Sequence, residues 1–344
     1  MARNRGFVIV LLLGSILPSP LAQAGKPNIV HIVIDDLGWA YRPGASNPEA
    51  ITPNLDSLVA CGTWLDRFYA HKICSPSRSA LLSGRSPIHV NVENILPEVY
   101  NVEDPVTGFQ GVPPDMTLVS ELMKKGGYVT RFVGKYDIGM ATSRHHPKAR
   151  GFDSWLGYWH HANDYWQQNT ETCPNVTLEG VAVSSNIPIK DLWRYDDGFD
   201  GPATDLANDP RCSQFRQSGF GNFSCEFEEL ILVNEAAGII RSHQGSPMNG
   251  SHSPLFMVYA MHLVHYPLQA PQSYVDAFAS VDDVERRHMA AMVSLTDDAV
   301  GAVVEAIKEP KDDDFAVTWN NTLVVVHSDN GYAVCVSSSS SFPH

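Results

Sequence analysis

Two patterns of apolar positions alternate along the chain: continuous apolar runs, and apolar residues at helical spacing. Continuous apolar runs at 28–34, 128–133, 255–261 and 322–327 are typical of strands buried on both faces of a parallel sheet. Between them, apolar positions at helical spacing predict helices that start near Pro53 and Ser77 and that cover 115–125, 228–241 and 284–307. This alternation predicts an α/β fold with a large, mainly parallel sheet flanked by helices.

Two helix starts affect the chemistry. Thr52 is expected as the N-cap and Pro53 in the first turn of a helix that Gly62 ends. Cys61 lies on the apolar face of this helix and is predicted to be a buried thiol. The next helix puts Cys74 at its N-terminus.

Residues 140–225 have no sustained hydrophobic period and are rich in Trp, Tyr, His, Asn, Asp and Pro. We predict long loops over one end of the sheet. Open α/β sheets bind ligands at the carboxyl ends of their strands, so these loops would form the rim of a substrate cleft.

The first 24 residues read as a signal peptide. Arg3 and Arg5 precede an apolar stretch at 7–17 that is too short to span a bilayer, and Ala22-Gln23-Ala24 is a small-x-small cleavage site. We therefore predict entry into the secretory pathway, an extracellular or lysosome-like location and no stable membrane insertion.

The cysteine count agrees with an oxidising compartment, since the chain has six. The disulfide candidates are Cys173, Cys212 and Cys225, and the glycosylation sequons are at Asn175, Asn222, Asn249 and Asn320. The net charge of -14 over 344 residues leaves no basic patch for nucleic acid. An anionic substrate would have to be met by local cations.

Carboxylates follow two of the predicted strands. Asp35 and Asp36 end the first, and Asp329 and Asn330 end the last. An isolated acidic pair is most often a solvated turn, but adjacent carboxylates repel unless a cation lies between them. Two strand ends with oxygen ligands alone predict a site for Ca²⁺ or Mg²⁺ rather than for zinc.

The stretch Cys74-Ser75-Pro76-Ser77-Arg78, which continues to Gly84-Arg85, resembles the sequence at which sulfatases have cysteine oxidised to formylglycine. The chain resembles the sulfatase family, particularly its arylsulfatase B-like branch, from about Pro27 to Tyr332. This resemblance implies an alkaline phosphatase-like fold and hydrolysis of organic sulfate esters, with sulfated small molecules or glycans as substrates. It also implies a formylglycine-generating enzyme as a partner.

The resemblance also implies the ligands of one divalent ion, Ca²⁺ or Mg²⁺, which are Asp35, Asp36, Asp329, Asn330 and the formylglycine made from Cys74. Such an ion would lower the pKa of a hydroxyl on the hydrated aldehyde, and Asp329 could accept its proton. Arg78 lies one helical turn beyond position 74 and could hold the resulting alkoxide.

Gly134 to Gly139 resembles the family segment Gly-Lys-Trp-His-Leu-Gly, and Lys135 matches the lysine that contacts the sulfate. The family histidine is Asp137 here. Either Asp137 acts as a proton acceptor or a nearby histidine replaces the missing ring, with His145 and His146 as candidates. The sequence leaves open that these two are ordinary loop histidines.

Met261 to Gln269 resembles the family segment His-x-Pro-Leu-Gln. His265 matches the histidine that contacts the sulfate and protonates the leaving alcohol, whereas His262 is expected to be structural. His160 and His161 follow an Arg-Gly-Phe-Asp segment of the family and are candidates for the substrate rim, with loop packing as the alternative.

We expect a signal peptide at 1–24, a catalytic domain at 25–334 and an atypical tail at 335–344. The family has a further lysine and a C-terminal subdomain, so the resemblance implies a C-terminally truncated chain. The alternative is an inactive sulfatase-like protein that binds metal or glycans, or a truncated gene product. A phosphatase would need Ser or Thr at position 74, and a thiol hydrolase would need a better-placed base than His71.

Overall fold

The computed structural model describes residues 8–11, 26–95, 111–170, 177–178, 181–182, 189–203, 227–243, 247–248, 251–309, 311 and 316–332. The three disulfide candidates, three of the sequons (Asn175, Asn222 and Asn249) and the tail at 335–344 lie outside these residues. The fourth sequon, at Asn320, is exposed.

The strands and helices alternate as the apolar pattern predicts. The strands are β1 (Val8–Leu11), β2 (Asn28–Ile34), β3 (Thr63–Leu65), β4 (Val129–Lys135), β5 (Ser154–Tyr158), β6 (Asn169–Thr170), β7 (Thr177–Leu178), β8 (Val181–Ala182), β9 (Ile189–Lys190), β10 (Trp193–Tyr195), β11 (Asp200–Pro202), β12 (Pro247–Met248), β13 (Ser251–His252), β14 (Leu255–Ala260) and β15 (Thr322–Ser328). The helices are α1 (Pro53–Cys61), α2 (Cys74–Ser83), α3 (Val119–Lys125), α4 (Glu228–Ser242), α5 (Gln272–Ala277) and α6 (Val284–Lys308).

Within the described residues, nine strands form one sheet in the order β11-β10-β5-β4-β14-β2-β15-β1-β3. The five central strands, β5 to β15 in that order, are parallel. The outer strands pair antiparallel on both sides. The sheet is therefore mainly parallel, which confirms the predicted fold class.

Helices cover both faces of the sheet. On one face, α1, α4 and α6 pack against alternate residues of β2, β14 and β15 in the larger core. On the other face, α2 and the residues before α3 pack against Phe132, Phe256 and Val258. Because both faces of the central strands are buried, their sequences read as continuous apolar runs.

Most element boundaries agree with the predictions to within two residues, since the buried runs and their Gly and Pro signals are local. The helix predicted at 115–125 starts instead at Val119. The prediction for Cys61 is wrong, because its side chain is exposed in the last turn of α1. Helical spacing placed Cys61 beside the apolar stripe, but no layer covers the end of the helix there.

The interpretation of 140–225 as loops alone is also wrong in part. β5 is a fully buried strand of the main sheet, and β10 and β11 extend that sheet beyond it. These strands are only three to five residues long and are fixed by pairing, so they leave little periodic signal.

β1 lies within the predicted signal peptide and pairs with β15 and β3. Cleavage after residue 24 stays a prediction. No helix among the described residues has the length and apolar character that crossing a bilayer requires.

Candidate active site

The backbone brings three chain segments together at the carboxyl edge of the sheet. Past the end of β2, the Asp35 amide donates to the Leu263 carbonyl at 2.8 Å. The Asp329 amide donates to the Ile34 carbonyl at 3.0 Å. These bonds join the chain segments just beyond the paired strands, so the polar residues after β2, β14 and β15 converge on one pocket.

Helix α2 delivers the cysteine to this pocket. Cys74 is its first residue and is 1% exposed. Its Sγ lies 3.4 Å from Oδ1 of both Asp35 and Asp36. The helix ends at Gly84, which has a left-handed φ of 66°.

Arg78, one turn further along α2, joins the two distant acidic pairs. Its Nε donates to Asp329 Oδ2 at 2.9 Å, and its Nη2 lies 3.2 Å from Asp35 Oδ1. Nη1 donates to the Lys135 carbonyl at 3.2 Å. The guanidinium therefore bridges the ends of β2, β4 and β15 while it stays buried.

Lys135 ends β4 as a second buried cation. Its Nζ lies 2.7 Å from Asp35 Oδ2 and 3.7 Å from Asp137 Oδ2. The preceding Gly134 has a φ of 97°, and a Cβ there would lie 1.8 Å from the Ala260 carbonyl oxygen. Only glycine permits this close approach, which brings the end of β4 against β14.

The buried carboxyls differ in pKa according to their neighbours. Burial raises the pKa of Asp35, but Lys135 and Arg78 outweigh this and hold its pKa below the usual range. Burial raises the pKa of Asp137 to about 6, against the opposing effects of Lys135 and Arg78. Burial and the charge of Asp35 raise the pKa of Asp329.

The pocket holds more negative than positive charge. Among the described residues, four carboxylates (Asp35, Asp36, Asp137 and Asp329) face two permanent cations (Arg78 and Lys135). One divalent cation would cancel this excess of two charges. The donor set is also suitable, since the site offers carboxylate and amide oxygens, the ligands that Ca²⁺ and Mg²⁺ prefer.

Asn330 supports this fit. Its amide nitrogen donates to Asp36 Oδ1, while its buried Oδ1 has no hydrogen-bond partner among the described residues. Rotating the amide by 180° would turn the oxygen toward the carboxylates, as a cation there would favour. A ligand atom of His265 also lies within 4.8 Å of ligand atoms of Asp35, Asp36 and Cys74.

The thiol of Cys74 is a poor nucleophile as it stands. Burial, followed by the charge of Asp35, raises its pKa well above the usual range. Because the thiolate is the reactive form, this environment disfavours direct attack by sulfur. It suits a group that is modified before it reacts.

Two site residues adopt backbone conformations that are unusual for residues other than glycine. Asp36 has a φ of 56° and Asp137 a φ of 48°, both in the left-handed region. Such conformations cost about 1–3 kcal/mol each and persist where the surroundings enforce them. Here the neighbouring polar contacts do so, since the Asp36 amide donates to Asp329 Oδ1 at 3.1 Å.

Asp137 occupies the position at which the resemblance led us to expect a histidine. Its Oδ1 accepts a hydrogen bond from the Ser75 hydroxyl at 2.6 Å, and Ser75 Oγ accepts one from the Ile95 amide at 3.0 Å. Sequence reasoning missed the contribution of Ser75, although it follows Cys74 directly.

The histidines divide into two groups. His265 reaches the pocket, with Nε2 3.6 Å from Asp36 Oδ2. His145 packs beside Gly139 and contacts Thr142 through Nδ1 at 2.9 Å. His160 contacts Asp191 at 2.8 Å. The ring that lies near His265 is that of His161, with ring centroids 6.2 Å apart.

His146 is enclosed by aromatic rings rather than by the pocket residues. Its ring contacts those of Trp155, Trp159, Trp193 and Tyr195. Its Nε2 lies 3.2 Å from Asp200 Oδ1. None of the described contacts of His145 or His146 joins them to Cys74.

Comparison with known proteins agrees with this geometry. A family model described as Sulfatase matches residues 27–339. Arylsulfatase J of Mus musculus is 28% identical over 312 residues, which cover 90% of this chain and 43% of that protein. N-acetylgalactosamine-6-sulfatase of Homo sapiens is 29% identical over 313 residues, which cover 90% of this chain and 50% of that protein.

Solved structures give the same result for the fold. The crystal structure of Ps i-CgsB in complex with k-i-k-neocarrahexaose has a TM-score of 0.66 and 29% identity, and it covers 92% of this chain and 61% of that chain. The PsFucS1 sulfatase from Pseudoalteromonas sp. has a TM-score of 0.60 at 20% identity, with 91% of this chain and 58% of that chain covered, and shows the shared fold. The chain spans about half the length of the curated relatives it matches.

Proposed function

The chain belongs to the sulfatase family, and from that premise we propose that it hydrolyses organic sulfate esters with a formylglycine made from Cys74. The observation that carries the proposal is the position of the Cys74 side chain. It is buried between Asp35 and Asp36 at 3.4 Å, beside the cations Arg78 and Lys135. As a hydrated aldehyde, residue 74 would offer one hydroxyl to attack sulfur and a second to expel the sulfate.

Asp35, Asp36, Asp329, Asn330 and the modified residue 74 would hold one divalent cation, Ca²⁺ or Mg²⁺. When bound, the cation would lower the pKa of a hydroxyl on residue 74 and neutralise a sulfate oxygen. The excess negative charge of the pocket and the unpartnered oxygen of Asn330 support this ligand set.

The residues of the chain would divide the remaining work. Arg78 and Lys135 would stabilise the charge that develops on the sulfo group, since both are buried cations at the same pocket. His265 would protonate the leaving alcohol, and its partial exposure suits a group at the substrate end. Asp137, whose pKa is about 6, is ionised at neutral pH and would accept a proton through Ser75.

We propose a sulfated sugar as the substrate class, with His145 and His160 only as remote rim candidates. The relative crystallised with neocarrahexaose and the relative named for N-acetylgalactosamine-6-sulfate support a glycan substrate. The proposed domain is 25–334, and the proposed route is the secretory pathway after loss of 1–24. The formylglycine-generating enzyme would act on the chain there.

The test is to produce the chain together with a formylglycine-generating enzyme and to analyse the peptide that contains Cys74 by mass spectrometry. We expect the mass loss of thiol-to-aldehyde conversion and release of sulfate from a generic aryl sulfate. Release should require Ca²⁺ or Mg²⁺ and should stop on chelation. C61S is the matched control, because it removes an exposed cysteine and should be converted and active as the wild type is.

An unconverted Cys74 would contradict the proposed nucleophile. Full conversion without sulfate release, on aryl or sugar sulfates, would favour the alternative of a protein that binds metal or glycans without turnover.

A further inference from the structure

A second buried polar cluster lies against the pocket on the face of the sheet that α4 covers. It consists of Glu228 and Glu229 at the start of α4, His262 after β14 and Tyr158 at the end of β5. All four side chains are inaccessible to solvent. Buried polar groups are nearly always hydrogen-bonded, so any that lack a partner require an explanation.

Three contacts hold His262, two through its ring and one through its backbone amide. Its Nδ1 lies 3.0 Å from Glu228 Oε1. Its backbone amide donates to Glu229 Oε2 at 2.9 Å. Tyr165 stacks on it with centroids 3.8 Å apart and planes 14° from parallel. The ring orientation is therefore fixed, with Nε2 on the side away from Glu228.

Two polar atoms of this cluster have no hydrogen-bond partner in the described part of the chain. They are Nε2 of His262 and the hydroxyl of Tyr158. The two rings are only 5.0 Å apart, although they belong to β5 and to the residues after β14, which lie on opposite sides of β4. Both rings must therefore lean over the end of β4.

The residue at the end of β4 is Lys135. It lies opposite Tyr158 in the pairing with β5, and Gly134 before it lies opposite Ala260 in the pairing with β14. Its ammonium has three N–H donors and is fully buried. Among the described residues, Asp35 alone lies at hydrogen-bond distance from it, since Asp137 lies at 3.7 Å.

We propose that His262, anchored by Glu228, is a positioning residue for Lys135. With the Tyr158 hydroxyl, its Nε2 accepts hydrogen bonds through a bridging water from the N–H groups that Asp35 leaves free. The inference rests on the proposed function, in which Lys135 contacts the sulfate. The pair thus aims a cation that Asp35 holds by a hydrogen bond and that Asp137 approaches only to 3.7 Å.

This arrangement needs a neutral ring with its proton on Nδ1, donated to an ionised Glu228. Burial raises the pKa of Glu228, but the carboxylate is the first residue of a 15-residue helix, whose dipole favours an anion there. Asn163 also donates to its other oxygen at 2.8 Å. Burial, and then the charges of His265 and Lys135, lower the pKa of His262, so the ring stays uncharged.

Other titratable groups face the ring and have to be considered in any pH measurement. They are Glu228 and Glu229 from α4, Tyr158 from β5, His161 and Tyr165 from the following segment, His265, Lys135 and Arg78.

The experiment compares wild type with His262→Ala and Glu228→Gln. We expect kcat/KM for an aryl sulfate to fall, and the Kd for inorganic sulfate to rise, by about 10- to 100-fold in both variants, as is typical for loss of a partner that orients a site group. Added imidazole should restore much of the loss in His262→Ala, which general destabilisation would not allow. Asp297→Asn, a buried carboxylate in α6 distant in the fold from Lys135, is the control and should keep both constants.

Nitrogen NMR of histidine-labelled protein gives an independent result. Wild type should show His262 neutral with its proton on Nδ1. A proton on Nε2, a charged ring, or sulfate binding unchanged in both variants would overturn the inference. If wild type binds sulfate but releases none from esters, the proposed hydrolase fails while the effect of His262 on binding still tests the positioning role. If wild type binds no sulfate, the position of the proton on the His262 ring, as NMR shows it, decides whether the inference holds.

Discussion

The pocket at the strand ends and the contact between α1 and α6 both bury carboxylates, yet they bury them in opposite ways. At the helix contact, Asp297 of α6 accepts hydrogen bonds from the Asn54 and Leu55 amides at 2.9 and 2.8 Å. These are free N–H groups at the start of α1, so each oxygen has a partner and the carboxylate is a cap. The hydrogen bonds join α6 to the start of α1 and leave no oxygen of Asp297 free for a ligand.

In the pocket the carboxylates outnumber their cations. Asn330 and Asp137 each keep a buried oxygen without a partner among the described residues, and two aspartates adopt left-handed backbone conformations. This region costs free energy in the absence of a cation. A buried carboxylate therefore marks a binding site where its partners are incomplete, and a structural contact where its hydrogen bonds are complete.

The largest expected effect comes from replacing the proposed nucleophile, which should separate loss of activity from loss of stability. Cys74→Ala removes the side chain that both proposed half-reactions use, so kcat for an aryl sulfate should fall by about 10⁴-fold or more. The free energy of unfolding should change far less, because the two polar contacts of the sulfur with described residues are long, at 3.4 Å. Turnover and denaturant unfolding measured on the same preparations check this, and residual turnover within tenfold of wild type would exclude Cys74 as the nucleophile.

The pH dependence of stability should have opposite signs for two buried carboxylates, Asp297 at the helix contact and Asp35 in the pocket. Burial raises the pKa of Asp297 from 3.8 to about 6, so its favourable contribution is complete below about pH 4 and is lost as the pH rises through 6. Relative to Asp297→Asn, the free energy of unfolding of wild type should fall by up to about 3 kcal/mol over this range, at about 1.4 kcal/mol per pKa unit.

For Asp35 the sign reverses. Its pKa is below the usual range, so its contribution is present above about pH 4 and is lost as the pH falls further. Guanidinium unfolding of wild type, Asp297→Asn and Asp35→Asn in metal-free buffer at several pH values measures both slopes. Parallel slopes for the two variants would remove the distinction between these two carboxylates.

A bound divalent cation should stabilise the protein through the pocket and not through the contact between α1 and α6. At a concentration 100 times its Kd, Ca²⁺ or Mg²⁺ should add about 2.7 kcal/mol to the stability of wild type and raise its Tm by several degrees. Asp36→Asn should lose most of this shift, whereas Asp297→Asn should keep it. Thermal unfolding with the ion and with a chelator is the measurement, and equal shifts in both variants would argue against Asp36 as a ligand.

The smallest expected effect concerns the two cysteines that the structure describes. Cys61→Ser should change the free energy of unfolding by no more than about 0.5 kcal/mol, as is usual for exposed positions. A thiol reagent followed by peptide mapping should label Cys61 in the native protein and any unconverted Cys74 only after unfolding. Rapid native labelling of Cys74 would show that the pocket opens.

Much of the fold could be predicted from the chain because its signals are local. The apolar run of β2 and the Thr52, Pro53 and Gly62 signals of α1 act over a few residues, and their predicted bounds match the structure. β5 could not be predicted in this way. It is five residues long and owes its place to pairing with β4, which Gly157 makes possible, since a Cβ there would lie 1.9 Å from the Gly134 carbonyl oxygen.

For the candidate site, the sequence predicted which segments meet but not which histidine lies beside them. The acidic pairs and the cysteine motif indicated one pocket, because parallel strands end at the same edge. The choice among histidines could not be made from the sequence. His145 and His160 looked as suitable as His161, and only packing shows which ring lies near His265.

By itself, the sequence determined the alternation of strands and helices, the family and the residue types available for chemistry, because each is encoded within a short stretch of chain. Only the tertiary structure decided which of these residues meet. Arg78 contacts Asp329 across 251 residues, and Glu228 anchors His262 from another element. Charge, burial and hydrogen-bond partners depend on such long-range contacts, so the sequence lists the groups of the pocket and the fold sets their protonation and orientation.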